Sequence, residues 1–273
     1  MITAAEERAF YDQQYAQFLA LPDHALRIDR AVLDRNLNDP SNPFYERRVL
    51  YRATIAALES EPLRGRKVLD YGCGPADFGL WMATEGADVT LLDLSPAAIE
   101  LGLRRARASG VEVRGVAADA TKLAMFGDGE FDLVFACAAL HHTLKYPGAV
   151  AELARIMRPG ARLVLCETWG GNPLLNLARK FRARVAKEQE EQGEDIILDK
   201  SQLAALSPYF DRVRIDHYNL LAMSKRLLRG RLQNAWARAI LGSIELIDRV
   251  LLAALPLKNW CGEAVIQARR MSL

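Results

Sequence analysis

Cysteine is scarce and scattered in this chain. Cys73, Cys137, Cys166 and Cys261 include no C-x-x-C pair, which argues against a zinc site and against a disulfide framework. Three of them sit in or beside apolar, strand-like runs, where cysteine behaves as a small core residue. Long hydrophobic runs are missing too. The longest wholly apolar run near the C-terminus is Val250 to Leu257, far short of the roughly 20 residues that span a bilayer. The N-terminal M-I-T-A-A-E-E-R lacks the basic start and apolar stretch of a secretory signal. The expected setting is therefore cytoplasmic and reducing. Net charge is only +2 over 273 residues, which is not the surface of a nucleic-acid binder. Phosphate-binding signatures are absent as well. There is no G-x-x-x-x-G-K-[ST], which excludes a P-loop. Counted from Gly72, the sixth position of a G-x-G-x-x-G fingerprint is Asp77, not the glycine that lets helix and strand pack around a pyrophosphate.

What remains is an apolar-rich chain, 51% hydrophobic, with enough material for a sizeable core. Its most informative stretch is V-L-D-Y-G-C-G-P-A-D-F-G, residues 68–79. An apolar run ends in Asp70, and Gly72 and Gly74 follow where a missing side chain lets backbone approach a ligand. The apolar-aromatic Phe78-Gly79-Leu80-Trp81-Met82 then opens a helix. Strand, glycine turn and helix build a nucleotide-sized crevice at the carboxyl edge of an α/β sheet.

Strands and helices alternate from there. Strands are expected at Lys67 to Tyr71, Asp88 to Asp93, Val111 to Ala117, Phe131 to Ala136 and Arg162 to Glu167. Helices are expected at Asp77 to Glu85, Pro96 to Ser109 and Pro147 to Ile156. This order implies parallel βαβ units. Val213 to His217 and Ala264 to Ala268 read as two last strands. The expected organisation is an N-terminal helical lid (1–60), a core (61–218) with a helical excursion at 172–199, a helical cap (219–260) and the last strand (261–273).

Asp93 lies 19 residues beyond Gly74, where a carboxylate can accept from both hydroxyls of a ribose. Asp119, after the third strand, can accept from an adenine amino group. No cation is offered nearby for a phosphate, so the pattern suits an adenosine without one.

Five blocks now resemble the class I S-adenosylmethionine-dependent methyltransferases, in particular the small-molecule group that includes the quinone-biosynthesis enzymes. They are L-D-Y-G-C-G-P (69–75), T-L-L-D-L-S-P (90–96), A-D-A (118–120), F-D-L-V-F-A-C-A-A-L-H-H (131–142) and E-L-A-R-I-M-R-P-G-A (152–161). Two departures stand out, Ala76 for a third glycine and Ala161 for the second glycine of R-P-G-G; alanine is small enough that cofactor binding should survive both. The resemblance implies a Rossmann-like α/β fold, a seven-stranded, mostly parallel sheet whose last strand is antiparallel. It implies S-adenosylmethionine as cofactor and no metal. It places Asp70 near the methionine amino group, with Gly72, Cys73 and Gly74 wrapping sugar and methionine. Asp93 and Leu94 belong to the ribose, Asp119 and Ala120 to the adenine, and Ala136 to the methionine portion.

Methyl transfer to a hydroxyl needs an aligned nucleophile and a proton acceptor. His141 and His142 follow strand four and Glu167 ends strand five. A carboxylate on one imidazole nitrogen fixes the tautomer and stabilises the imidazolium. The arrangement resembles methyltransferases acting on sugar hydroxyls of glycosylated products, which selects His141 as base, Glu167 as helper and His142 as a substrate contact. Tyr11 and Tyr15, four apart on one helical face, read either as a lid over the methionine end or as core. Trp169 and Asn172 read as lining for the acceptor pocket. No N/D-P-P-Y follows strand four, which lowers the odds of a nucleic-acid or glutamine acceptor. The expected activity is methyl transfer to a hydroxyl of a secondary metabolite, a glycosylated product or a lipophilic phenol or quinone. C- or N-methylation, a SAM-binding protein without transfer activity and a nicotinamide oxidoreductase stay open as rivals.

One late segment needs its own explanation. From Asn219 to Trp260 there are seven cations against two acids. Leu232, Trp236, Ile240, Ile244, Ile247, Leu251 and Leu255 form one helical stripe. Three readings compete: a cap helix packed on the sheet domain, a pocket wall or homodimer contact, and a peripheral membrane foothold through residues 226–255. The basic Arg179 to Lys187 cluster would add to the third; an acidic stretch from Glu188 to Asp195 follows it.

Overall fold

A computed structural model describes residues 3–144, 146–186 and 197–272. Five helices precede the first strand: α1 (Ala4–Ala16), α2 (Asp23–Leu26), α3 (Arg30–Asn38), α4 (Pro43–Glu46) and α5 (Arg48–Leu58). The alternating part runs β1 (Lys67–Tyr71), α6 (Asp77–Thr84), β2 (Asp88–Asp93), α7 (Pro96–Ser109), β3 (Arg114–Ala117) and β4 (Phe131–Cys137). It continues with α8 (Leu140–Thr143), α9 (Ala149–Ile156), β5 (Met157–Thr168), α10 (Pro173–Ala186), α11 (Lys200–Leu203) and β6 (Phe210–Tyr218). Helix α12 (Ala235–Ala254) and strand β7 (Glu263–Arg270) close the chain.

The strands form one sheet in the order β3-β2-β1-β4-β5-β7-β6. Only β7 is antiparallel, to both β5 and β6. Chain order reverses between β1 and β4, and that point opens a crevice beyond the carboxyl ends of the strands. Both faces of the sheet are covered, so its strands are apolar on both sides. Val68, Leu91, Leu133, Phe135, Val164 and Cys166 enter one core with Leu33, Leu50, Phe78 and Trp81. Their neighbours Leu69, Leu92, Val134, Ala136, Leu163 and Leu165 enter the other, with Leu153, Leu206 and Phe210. That is the period-two alternation of a strand.

Local chemistry sets the ends. Helix α7 starts on Ser95, whose side chain accepts from Ala98 N–H, with Pro96 in the first turn. It stops at Gly110 (φ +72°), where Val111 N–H returns to the Ala106 carbonyl and Gly110 N–H to Arg107. This helix-ending motif occupies Val111, so β3 is shorter than its apolar run suggests. Strand β5 is longer than expected, because Met157 pairs with Phe131 across an irregularity before Arg162 meets Leu133.

The late helix packs differently from its apolar stripe. Its inward residues are Ala237, Leu241 and Asp248, while Trp236, Ile240, Ile247 and Leu255 are exposed. Polar anchors set this rotation. Glu245 pairs with the Arg48 guanidinium at 2.7 Å, and Asp248 accepts from the backbone N–H groups of Leu221 and Ala222 at 2.8 and 3.0 Å. Leu232, Ala237 and Leu241 make a small cluster with Tyr45. The cap thus leans on α4 and α5. Arg179 of the basic cluster is turned inward onto the carbonyls of Trp169 and Gly262; Lys187 and the acidic stretch from Glu188 to Asp195 lie outside the described residues.

Removing the Asp248 carboxylate leaves two N–H groups without their acceptor, each costing about 1–3 kcal/mol when buried. Asp248→Ala should lower the unfolding free energy by about 2 kcal/mol in urea titrations. Arg249→Ala, one residue on and exposed, should stay within about 0.5 kcal/mol of the parent. Equal effects would contradict the anchoring role.

Candidate active site

The crevice is built around the turn after β1. Gly72 and Gly74 have φ of +67° and +49°, a region closed to most side chains. Space forbids side chains there as well: a Cβ on Gly72 would sit 2.4 Å from the Ala139 Cβ, and one on Gly74 would sit 2.8 Å from the Tyr15 hydroxyl. Gly72 and Cys73 N–H both donate to the Leu92 carbonyl, which ties the turn to the end of β2. Ala76 takes the same left-handed geometry (φ +61°) and is fully buried; the turn imposes glycine's conformation on an alanine, at roughly 1–2 kcal/mol.

Two buried acids flank the turn. Asp93 accepts from Gly74 N–H at 2.8 Å through Oδ2 and from Ser95 N–H at 2.9 Å through Oδ1. Asp70 accepts from Gly79 N–H at 3.1 Å and is 2% exposed. Burial pushes the Asp70 carboxyl up to about 8, and it raises Asp93 as well. Asp119 lies in a turn of its own, its Oδ1 accepting from Thr121 N–H and Oγ1. The Tyr71 hydroxyl meets the Ala120 carbonyl at 3.0 Å and the Thr143 hydroxyl at 2.9 Å, which holds the loops after β3 and β4 together.

These groups line one cleft of about 290 Å³. Asp70, Gly72, Cys73, Gly74, Asp93, Leu94, Asp119 and Ala120 all border it. So do Tyr11 and Tyr15, whose rings stack at 6.0 Å on α1. Helix α1 contributes no buried residue. It lies across the site through Asp12, which accepts from the Ser95 hydroxyl at 2.6 Å, and through Glu7, whose Oε1 is 3.0 Å from His142 Nδ1.

His141 Nδ1 lies 2.8 Å from Glu167 Oε2. Glu167 is fully buried, and its other oxygen accepts from the backbone N–H groups of Ala139 and Leu140. Such a carboxylate holds the imidazole hydrogen on Nδ1 and leaves the lone pair on Nε2. The two histidine rings lie 4.2 Å apart. It is His142, not His141 or Glu167, that borders the cleft itself.

Three further expected residues lie away from the lining of the cleft. Ala136 packs in the core, and the next residue of β4, Cys137, borders the cleft. Trp169 is fully buried, packed edge-on against His217 at 4.9 Å. Asn172 caps α10 by accepting from Leu175 N–H, and it donates to the Trp260 carbonyl. Neither Trp169 nor Asn172 lines the cleft. Part of the lining is instead aromatic: Phe44, Tyr51, Phe78 and Phe135 border the cleft in a chain of ring contacts at 4.9, 5.2 and 5.2 Å. Arg47 stands over the Tyr51 ring at 5.3 Å, backed by Glu263 at 3.4 Å. Burial alone would raise Glu263, but Lys225 and Arg47 hold it below its ordinary range. Phe44, Arg47 and Tyr51 recur at helical spacing, which in sequence looks like ordinary helix packing, although the chain breaks at Arg47 between α4 and α5.

Residues 69–165 match the methyltransferase domain family. A demethylmenaquinone methyltransferase of Thermus thermophilus is 37% identical over 118 residues, 42% of this chain and 52% of that protein. The chain spans about half the length of the curated relatives it matches. Among solved structures, a SAM-dependent methyltransferase of Methanosarcina mazei superposes with a TM-score of 0.51 at 22% identity, covering 80% of this chain and 98% of that one. Phosphoethanolamine N-methyltransferase 2 of Haemonchus contortus, in complex with S-adenosylmethionine, gives 0.55 at 16% identity, covering 89% and 60%. Residues 69–165 are thus similar to a methyltransferase domain, and the seven-stranded sheet has the Rossmann-like fold of the class I methyltransferases. In sequence, about half of the chain is similar to demethylmenaquinone methyltransferases.

The raised Asp70 carboxyl has a pH consequence. A carboxyl with its folded pKa above the unfolded value of 3.8 supports the fold fully below that value, and the support is lost as pH rises to about 8. Asp70→Asn removes this loss. The melting-temperature advantage of the variant over the parent should therefore widen between about pH 4 and pH 8 and level off above. A constant difference across that range would contradict the burial of an uncompensated carboxyl.

Proposed function

We propose that this protein transfers a methyl group from S-adenosylmethionine to a hydroxyl oxygen of a small, lipophilic, aromatic acceptor. The cofactor fits the residues present. Both glycines sit where a Cβ would fill the cradle, and no lysine or arginine of the turn offers a pyrophosphate partner. Asp70 and Asp93, buried and starved of positive charge, complement a cationic ligand better than a phosphate. Asp93 would hold the ribose hydroxyls, Asp119 and Ala120 the adenine, and Asp70 the methionine ammonium. The bound cofactor supplies a sulfonium-activated methyl group.

The chain's own residues do the rest. Tyr11 and Tyr15 cover the glycine turn and exclude water. Phe44, Tyr51, Phe78 and Phe135 offer flat apolar surface to a planar acceptor, and Arg47 stabilises negative charge as the acceptor hydroxyl loses its proton. His141 takes that proton on Nε2, with Glu167 stabilising the imidazolium that results. His142, one ring nearer the cleft, orients the acceptor. The observation that carries the oxygen assignment is the 2.8 Å pairing of His141 with a fully buried carboxylate. The quinone-type relatives add an aromatic acceptor as a class. The family match at residues 69–165 takes in the loops beside the cofactor, whereas Phe44, Arg47 and Tyr51 of the acceptor wall lie outside it.

The test is methyl transfer from radiolabelled cofactor to a panel of hydroxylated aromatic acceptors. His141→Ala should lower kcat about 10²–10⁴-fold while leaving affinity for S-adenosylhomocysteine within about twofold. Glu167→Gln should lower kcat less. Full turnover in His141→Ala, or loss confined to His142→Ala, would overturn the assignment of the base.

A further inference from the structure

The structure leaves one surface unexplained by methyl transfer. Along α12, Trp236, Ile240, Leu246, Ile247 and Val250 are between 44% and 60% exposed. At 100° per residue they share one side of the helix, about 30 Å long, with Ala239, Ser243 and Ala254 between them and no charged residue. The turn before the helix adds Leu227, 79% exposed, and the turn after it adds Leu255 and Trp260. A soluble surface seldom shows so continuous an apolar strip without a use for it.

The charges of the same segment are sorted by sign. Its two acids, Glu245 and Asp248, are the ones drawn inward, to Arg48 and to the backbone of Leu221 and Ala222. Of its cations, Lys225 is buried against Glu263 and Arg229 pairs with Glu46. Arg231, Arg249 and Lys258 stay exposed, and Arg238 lies half-buried at the same border of the helix as Arg249. Long basic side chains beside an apolar strip can reach headgroups while the strip enters the acyl boundary. An acidic protein partner would answer the cations but not the unbroken apolar strip. A second copy of the chain would bring like charges together along the strip. No described helix is long and apolar enough to cross a membrane, so contact would be in the plane of the surface.

We infer that α12 and its flanking turns dock this protein on an anionic lipid bilayer. The cap is placed for it. Along the α4–α5 junction Phe44 and Arg47 line the cleft, while Tyr45 and Arg48 hold α12. The docked helix lies one layer behind the acceptor wall, so a lipid-soluble acceptor meets the cleft close to the membrane. Docking itself does not depend on the proposed methyl transfer.

The test is co-sedimentation of the full chain with vesicles of phosphatidylcholine alone and with phosphatidylglycerol added, at low and high salt. Binding should require phosphatidylglycerol, weaken with salt and shift tryptophan emission to the blue as Trp236 enters the interface. The double variant Ile240→Ser, Ile247→Ser should bind about tenfold less or worse, and Arg231→Glu with Arg249→Glu should abolish the preference for anionic lipid. All variants should keep their affinity for S-adenosylhomocysteine, read by calorimetry, which separates lost docking from a lost fold or site. No binding of the parent at low salt would overturn the inference. So would a salt-resistant dimer in sedimentation equilibrium that the isoleucine variant dissolves without any vesicle binding.

Discussion

The carboxylate of Asp93 joins the turn after β1 to the start of α7. One oxygen receives Gly74 N–H from the turn after β1, the other Ser95 N–H at the start of α7. The bond works only because Gly74 can hold a left-handed conformation with Tyr15 closing above it. Everything that makes the cleft follows from this clamp. The glycine backbone borders the cleft, Asp70 is trapped beneath it with Gly79 as its backbone donor, and the Ser95 hydroxyl is left to donate to Asp12 of α1. Burying two acids this close costs stability, and a cationic ligand is what would recover it.

The second constraint is the reach of α1. Its own sequence contributes no core, so its position comes from contacts to three different loops: the Tyr15 ring above Gly74, and the polar contacts of Asp12 with Ser95 and Glu7 with His142. Two histidine–carboxylate pairs then lie side by side, one within the core (His141 with Glu167) and one across the lid (His142 with Glu7). The inner pair is permanent in character because its acid is fully buried. The outer pair joins α1 to the loop after β4.

What could be read from sequence divides along the same line. The glycine-turn side of the cleft is local: Asp70, Gly72, Gly74, Asp93 and Asp119 each sit at or just beyond a strand end, and the order of the strands puts these ends at one edge. The aromatic side is not local. Ala136 and Cys137 differ only by one step of strand register, which no composition reveals. Trp169 follows β5 closely but turns into the core against His217, whereas Arg47, 122 residues earlier in the chain, reaches the cleft. The late helix was legible as a helix, yet its docked face was not. Hydrophobic periodicity named the larger apolar stripe, and two single polar anchors, Glu245 to Arg48 and Asp248 to the 221–222 backbone, rotated it outward.

The central claim is that the clamp grips an uncharged nucleoside sugar and its amino-acid tail. Calorimetric titration of the parent and of Asp93→Asn with S-adenosylhomocysteine, and of the parent with NAD, tests it most directly. The parent should bind one S-adenosylhomocysteine per chain and ignore NAD. Asp93→Asn should bind about tenfold to a hundredfold more weakly, the loss of a charged hydrogen-bond acceptor. Heat from NAD with none from S-adenosylhomocysteine, or unchanged affinity in Asp93→Asn, would contradict it.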